Sequence, residues 1–109
     1  MERLTYQEAI EKILNNLSEI IVREGTEVEI IRDRVAGHYL IILVGWHDQI
    51  RVYGSLVHID IKDDKIWIQQ DRTDTGIAQE LVEAGVPKSD IVLAFKSAFA
   101  RKFTDYAIT

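Results

Sequence analysis

Between His58 and Asp71 the chain reads HIDIKDDKIWIQQD, an alternation of apolar and polar residues interrupted once, at Asp63-Asp64. Alternation is the period of a strand, and a two-residue interruption has the length of the shortest hairpin loop. The register follows. Ile61 faces Ile66 and Ile59 faces Ile68, while Lys62 meets Lys65, Asp60 meets Trp67 and His58 meets Gln69. One side of this hairpin is core, and the other holds a histidine, a carboxylate, an indole and an amide. Asp64 stands where such a turn favours glycine, and aspartate tolerates the left-handed conformation better than most residues do.

The flanking segments extend the sheet in both directions. HYLIILVGW brings six consecutive apolar residues, Tyr39 to Val44, a length and texture that predict a central strand covered on both faces. Val28, Ile30 and Arg32 alternate with Glu27, Glu29 and Ile31, as an edge strand with one wet face does. Turns are expected at Ala36-Gly37 and at His47-Asp48-Gln49. IRVYGSLVHIDIK is long for one strand, and its apolar parity changes midway. Ile50, Val52 and Leu56 share one face, and Val57, Ile59 and Ile61 share the other, so a bulge or bend is expected at Gly54-Ser55.

Helices bracket this meander. Thr5 and Glu8 form a capping box, after which Ile10, Ile13, Leu14, Leu17 and Ile21 recur at helical spacing, predicting a helix from Thr5 to Val22 that Gly25 ends. TDTGIAQELVEAGVP reads as a second helix capped by Thr75, with Ile77, Leu81 and Val82 as its apolar stripe and Gly85 and Pro87 as its stop. Phe99, Phe103 and Tyr106 stand at i, i+4 and i+7, which suits a last helix against the core. The expected architecture is one α+β domain over residues 1–109: an N-terminal helix, a four-stranded antiparallel meander and C-terminal helices packed on the sheet.

Composition narrows the function classes. The 109 residues, 47% of them hydrophobic, are enough for one domain with its own core. Without cysteine there is no disulfide, no thiolate nucleophile and no thiolate zinc site, and a cytoplasmic location is expected, with no segment long enough for a membrane span. Thirteen basic against eighteen acidic residues give a net charge of −5, with no charge-segregated half, which argues against direct nucleic-acid binding. The local cationic cluster, Lys96, Arg101 and Lys102, reads as solvated helix residues, the alternative being a phosphate contact.

Chemistry-bearing patterns are sparse. His58 and Asp60, two apart on one strand face, suit a histidine oriented by a carboxylate or a pair of metal ligands, but His38 and His47 fall near turns and nothing in the sequence places them beside His58. The ordinary alternative is a hydrogen-bonded sheet histidine. Asp60-Ile61-Lys62 has the D-x-K form of metal-dependent nucleases, for which Asp48 is the nearest second carboxylate. No serine has a nucleophile-elbow context, and no glycine-rich phosphate loop occurs. Catalytic, metal and cofactor residues are accordingly assigned to none. Trp46 and Trp67 are either core or interface anchors, and the strand parity of Trp67 points it away from Ile66 and Ile68.

The run GWHDQIRVYGSLVHIDIKDDKIWIQQDRTDTGIAQELVEAGVPKSDIVLAF, Gly45 to Phe95, and the later RKFTDYAI resemble the XisI family, the fdxN element excision controlling factors of filamentous cyanobacteria. RVYG, H-x-D-I-K, KIWIQQ, IA-x-ELV-x-AGVP and DIVLAF carry the likeness, which extends loosely over the N-terminal helix. The sequence departs from the family pattern at Asp64, Asp74 and Lys96-Ser97-Ala98, where the family has glycine, glutamate and a His-x-Pro-like segment. The last two departures bear on partner specificity.

The resemblance implies a non-catalytic accessory protein in programmed DNA excision during heterocyst differentiation, working through an XisH-like companion and a site-specific recombinase complex. It brings no catalytic residues. His58, Asp60, Trp67 and Gln69 are then expected to form a protein interface, with Trp67 as anchor and the others as polar rim. Two alternatives stand beside it, a metal-dependent nuclease built on Asp48, Asp60 and Lys62, and an inhibitor of a nuclease-like partner. Oligomeric state is left open.

Overall fold

Tyr6, Ile10, Ile13, Leu14 and Leu17 are buried along one stripe of the first helix, α1 (Arg3–Ile20), in the computed structural model of the chain, which describes residues 3–21 and 23–109. Because α1 already includes Arg3, Thr5 lies within it rather than at its cap, and the expected start at a Thr5–Glu8 box is corrected. Val22, the expected end, lies outside the described residues. Gly25 does not close the helix. It takes a left-handed φ of 76° in the turn that starts the next strand, and its carbonyl accepts from the Trp46 amide at 2.9 Å. That approach requires glycine at position 45, where a Cβ would stand 2.1 Å from the Gly25 oxygen.

Four strands follow as an antiparallel meander: β1 (Thr26–Asp33), β2 (His38–His47), β3 (Ile50–Lys62) and β4 (Lys65–Asp71). β1 is the edge and β2 lies inside, as their sequences predict. The β3–β4 turn forms at Asp63-Asp64, both residues with left-handed φ (53° and 61°). The bulge in β3 is present too: Ile41 pairs with Val57 but Ile42 with Ser55, leaving Leu56 as the extra residue. Its effect differs from the expectation. The extra residue resets the parity, so Val52 and Gly54 share the covered side with Val57, Ile59 and Ile61 rather than opposing them.

Among the described residues the sheet has five strands, not four. β5 (Ile91–Leu93) runs parallel to β4, reached through α2 (Ile77–Glu83) and a 3-10 turn at Lys88–Asp90. A parallel neighbour requires a crossover, which α2 provides, and three residues are too few to show alternation. α2 ends as read, with the Gly85 amide bonded to Val82 and the Val86 amide to Leu81 in a Schellman arrangement. Its start is different. Gly76, not Thr75, precedes the first turn, and Asp71 caps it from β4, its Oδ2 accepting from the Ile77 amide at 2.7 Å. Tyr6 of α1 donates its hydroxyl proton to Asp90 Oδ2, joining the first helix to the turn before β5.

The final helix, α3, is a single turn, Ala98–Arg101, capped by Ser97. The expected amphipathic helix against the core does not form. Phe99 and Phe103 are 68% and 77% exposed and meet edge to face, and only Tyr106 packs on the core. Arg101 is the reason the segment turns instead: its guanidinium donates to the carbonyls of Leu93, Lys96 and Ile108 at 3.0–3.3 Å. It is a fastener and not a solvated helix residue. The chain then adds Ala107 beside Val92, on the outer side of β5.

Core and surface divide by face. α1 and α2 cover the side formed by Tyr39, Ile41, Leu43, Val57, Ile59, Ile61, Ile66, Ile68, Ile91 and Leu93. The opposite side of β2, Leu40, Ile42 and Val44, is only half-buried, so β2 is not covered on both faces. No described helix is long and apolar enough to cross a membrane.

Candidate functional site

Cross-strand pairing places Asp33, His38, Asp60, Trp67 and Val92 in one row across the second face of the sheet, which is open over β1 to β4 and closed at β5, where Val92 is fully buried. The next row contains Leu40, His58 and Gln70. Asp60 is the hub. Its Oδ1 is 2.7 Å from His38 Nδ1 and 2.9 Å from His58 Nε2, and its Oδ2 accepts from Gln69 Nε2 at 3.2 Å. The two imidazoles meet edge to face with centroids 6.5 Å apart. Burial pushes the Asp60 carboxyl up, but the hydrogen bonds and charge of the two histidines outweigh this and hold it below the usual carboxylate range.

A second bulge sets this arrangement. His58 pairs with Gln70 and Ile59 with Ile68, so Gln69 is the extra residue and does not meet His58 as the simple hairpin register predicts. It reaches Asp60 instead. His38 joins the cluster through its pairing with Asp60, across a strand pair that sequence spacing could not supply. The signal that could have found it is the count of residues around the Asp48-Gln49 turn, advanced by one for the β3 bulge. His47 stays apart, beside Asp48 at the far end of β2.

Asp48 lies in the turn before β3 and Asp60 near the far end of that strand, so roughly 30 Å of strand separates them. The carboxylate pair of the nuclease reading is therefore not assembled. Lys62 lies against Trp67, its Nζ 4.8 Å from the ring centroid, and the Arg101 guanidinium is 5.8 Å from the same ring. Trp67 itself is half-buried and donates Nε1–H to the Lys62 carbonyl at 3.1 Å. Its polar edge is thus satisfied internally, and it forms the floor between two cations.

Below this polar end the open face becomes apolar. Leu40, Ile42 and Val44 run down its middle beside Ile31 of β1, and Tyr53 (71% exposed) and Trp46 (54% exposed) lie at its lower end. Arg51 spans those two rings, at 5.3 Å from Trp46 and 5.8 Å from Tyr53. Glu27 and Glu29 line the β1 edge of the same face. A hollow of about 700 Å³ lined by Arg23, Trp46, His47, Ile50 and Val52 lies at the same end of the sheet but mainly toward its other side, away from the His–Asp cluster, and its wall holds His47 and Asp48 4.0 Å apart. An aliphatic centre with aromatic and charged borders is the anatomy of a protein-binding surface. The His38–Asp60–His58 cluster at its upper end has the donor types of a metal site: its ligand atoms lie within 4.8 Å of one another.

The chain matches the XisI protein family over residues 1–108. It is also similar to two solved structures from Anabaena variabilis. One, a XisI-like protein, is 40% identical with a TM-score of 0.93, covering 99% of this chain and 100% of that one. The other, the fdxN element excision controlling factor XisI, is 28% identical with a TM-score of 0.86, over 98% of each chain. No curated protein matches. On a match that spans all but its last residue, this chain belongs to the XisI family.

Proposed function

We propose that this protein is a non-catalytic accessory factor in the controlled excision of a DNA element, acting through a companion protein that binds the open face of its sheet. The observation that carries the reading is the whole-length likeness to an excision controlling factor, in a fold whose second sheet face is covered by no described helix over β2 and leaves Leu40, Ile42 and Val44 partly exposed. The companion would be of the XisH kind and would act on DNA, with a recombinase performing strand exchange. A DNA-acting protein is basic where it meets phosphate, and a chain of net charge −5 with Glu27 and Glu29 beside its apolar centre is suited to such a partner. His58, Asp60, Trp67 and Gln69 form the upper part of this surface, Leu40, Ile42 and Val44 its middle, and Tyr53 and Trp46 its lower part.

The test is reconstitution with the purified XisH-like companion from the same genome. A complex of fixed ratio on size exclusion, with no plasmid cleavage by this chain alone in Mg²⁺ or Mn²⁺, is the expected result. Plasmid nicking by the chain alone that disappears in Asp60→Asn would replace the accessory reading with the nuclease one.

A further inference from the structure

We propose that His38, His58 and Asp60 form a binding site for one divalent transition-metal ion, with His38 Nδ1, His58 Nε2 and Asp60 Oδ1 as its protein ligands. The site is independent of the partner reading above. Two imidazole nitrogens and a carboxylate oxygen make a donor set suited to zinc, cobalt(II) or nickel(II), and unsuited to calcium or magnesium, which take oxygen. All three atoms already point at one place. They converge from a cross-strand pair and from two positions on one strand, a scaffold more rigid than a loop.

The fit is close in size. Ligand bonds of about 2.0 Å in a tetrahedron put ligand atoms roughly 3.3 Å apart. The present 2.7 and 2.9 Å contacts therefore need to open by about half an ångström, and the two ring nitrogens, within 4.8 Å of each other, to settle at the same spacing. His38, the more exposed of the two histidines, has room to make that movement.

The surroundings support the same assignment. Gln69 donates to the other oxygen of Asp60, the outer contact that orients a ligating carboxylate, and it does so because a β-bulge turns it there. Asp60 is the more buried member and the histidines the outer ones, so the ion's remaining positions face solvent. His47 lies too far along β2 to contribute. Without an ion, the same three groups form a hydrogen-bonded His–carboxylate–His chain, and the experiment separates the two descriptions.

Zinc binding to the full chain is measured by calorimetry, and cobalt(II) binding by its visible absorption. One ion per chain is expected, with cobalt bands of tetrahedral or five-coordinate type. His38→Ala and His58→Ala are each expected to weaken binding by more than about tenfold, Gln69→Ala by about tenfold, and His47→Ala not at all. Because a ligand variant could fail to fold, the intact protein gives a second readout: zinc should shift the ring NMR signals of His38 and His58 and leave those of His47 in place. Binding weaker than about 100 µM, His38 and His58 variants that bind as the wild type does, or ring signals that do not move would each overturn the proposal and leave the hydrogen-bonded chain alone.

Discussion

On its covered face the sheet presents Tyr39, Ile41, Val57, Ile59, Ile66 and Ile68, all fully buried under α1 and α2. On the open face the same strands present His38, Leu40, Ile42, Val44, His58, Asp60 and Trp67, at intermediate or high exposure. Strand pairing is common to both faces, so the difference lies in what the side chains meet. The covered face is solved by volume and water exclusion alone. On the open face each polar group needs a named partner, and Asp60 has three while Trp67 has a carbonyl and two cations. Stability should therefore be concentrated on one face and specificity on the other.

That division is open to being broken, and the largest effect is expected on the covered face. Ile59→Ala should cost about 3–4 kcal/mol in denaturant unfolding, because a central, fully buried position cannot collapse around the gap. Leu40→Ala, on the open side of the neighbouring strand, should cost about 1 kcal/mol. Equal losses at the two positions would contradict the division. Trp67→Ala falls between them, at about 2–3 kcal/mol with the fold retained, since the half-buried ring loses its contacts with Lys62 and Arg101.

Tyr6 sharpens the comparison through pH. Burial first, then its hydrogen bond to Asp90 and the charge of Asp90, push its hydroxyl up to about 12. The unfolded chain releases this proton near pH 10, so the native state binds more protons between about 10 and 12, and stability falls as pH rises through that window. Below pH 10 the contribution is complete. Thermal melts should show this alkaline loss and should show it reduced in Tyr6→Phe, which itself costs about 1–2 kcal/mol at neutral pH.

Asp60 has the opposite sign on the open face. Its carboxyl is held low, so its contribution is present above the ordinary carboxylate range and is lost as pH falls through the folded value. Asp60→Asn should flatten the acid limb of the stability profile. The smallest change is expected at the hairpin turn. Asp64→Gly relieves a left-handed φ of 61° and should stabilise by about 0.5–1 kcal/mol, touching neither face.

The covered face was legible in the sequence because burial leaves a periodic trace. Ile59, Ile61, Ile66 and Ile68 announced their register, α1 its stripe and α2 its Schellman stop. Where one extra residue enters a strand the trace breaks: the β3 bulge was located, but Leu56 resets the parity and Gln69 shifts away from His58, and a pattern of period two carries neither outcome. β5 was missed because three apolar residues in parallel pairing have no alternation to show. His38 was missed as a neighbour of Asp60 for a related reason, because their pairing depends on the β2–β3 register, which the Leu56 bulge shifts by one residue. The exposed Phe99 and Phe103 followed helical spacing, but the helix stops after the single turn Ala98–Arg101, where the guanidinium of Arg101 bonds surrounding carbonyls.

The central claim, that the open face is where a companion protein binds, is tested most directly by Ile42→Arg, at the middle of the apolar stripe on β2. Affinity for the purified XisH-like companion is measured by calorimetry beside a thermal melt of the variant. A drop of at least about thirtyfold with a melting temperature within a few degrees of the wild type is the result predicted here. Undiminished binding by a folded Ile42→Arg protein would contradict it.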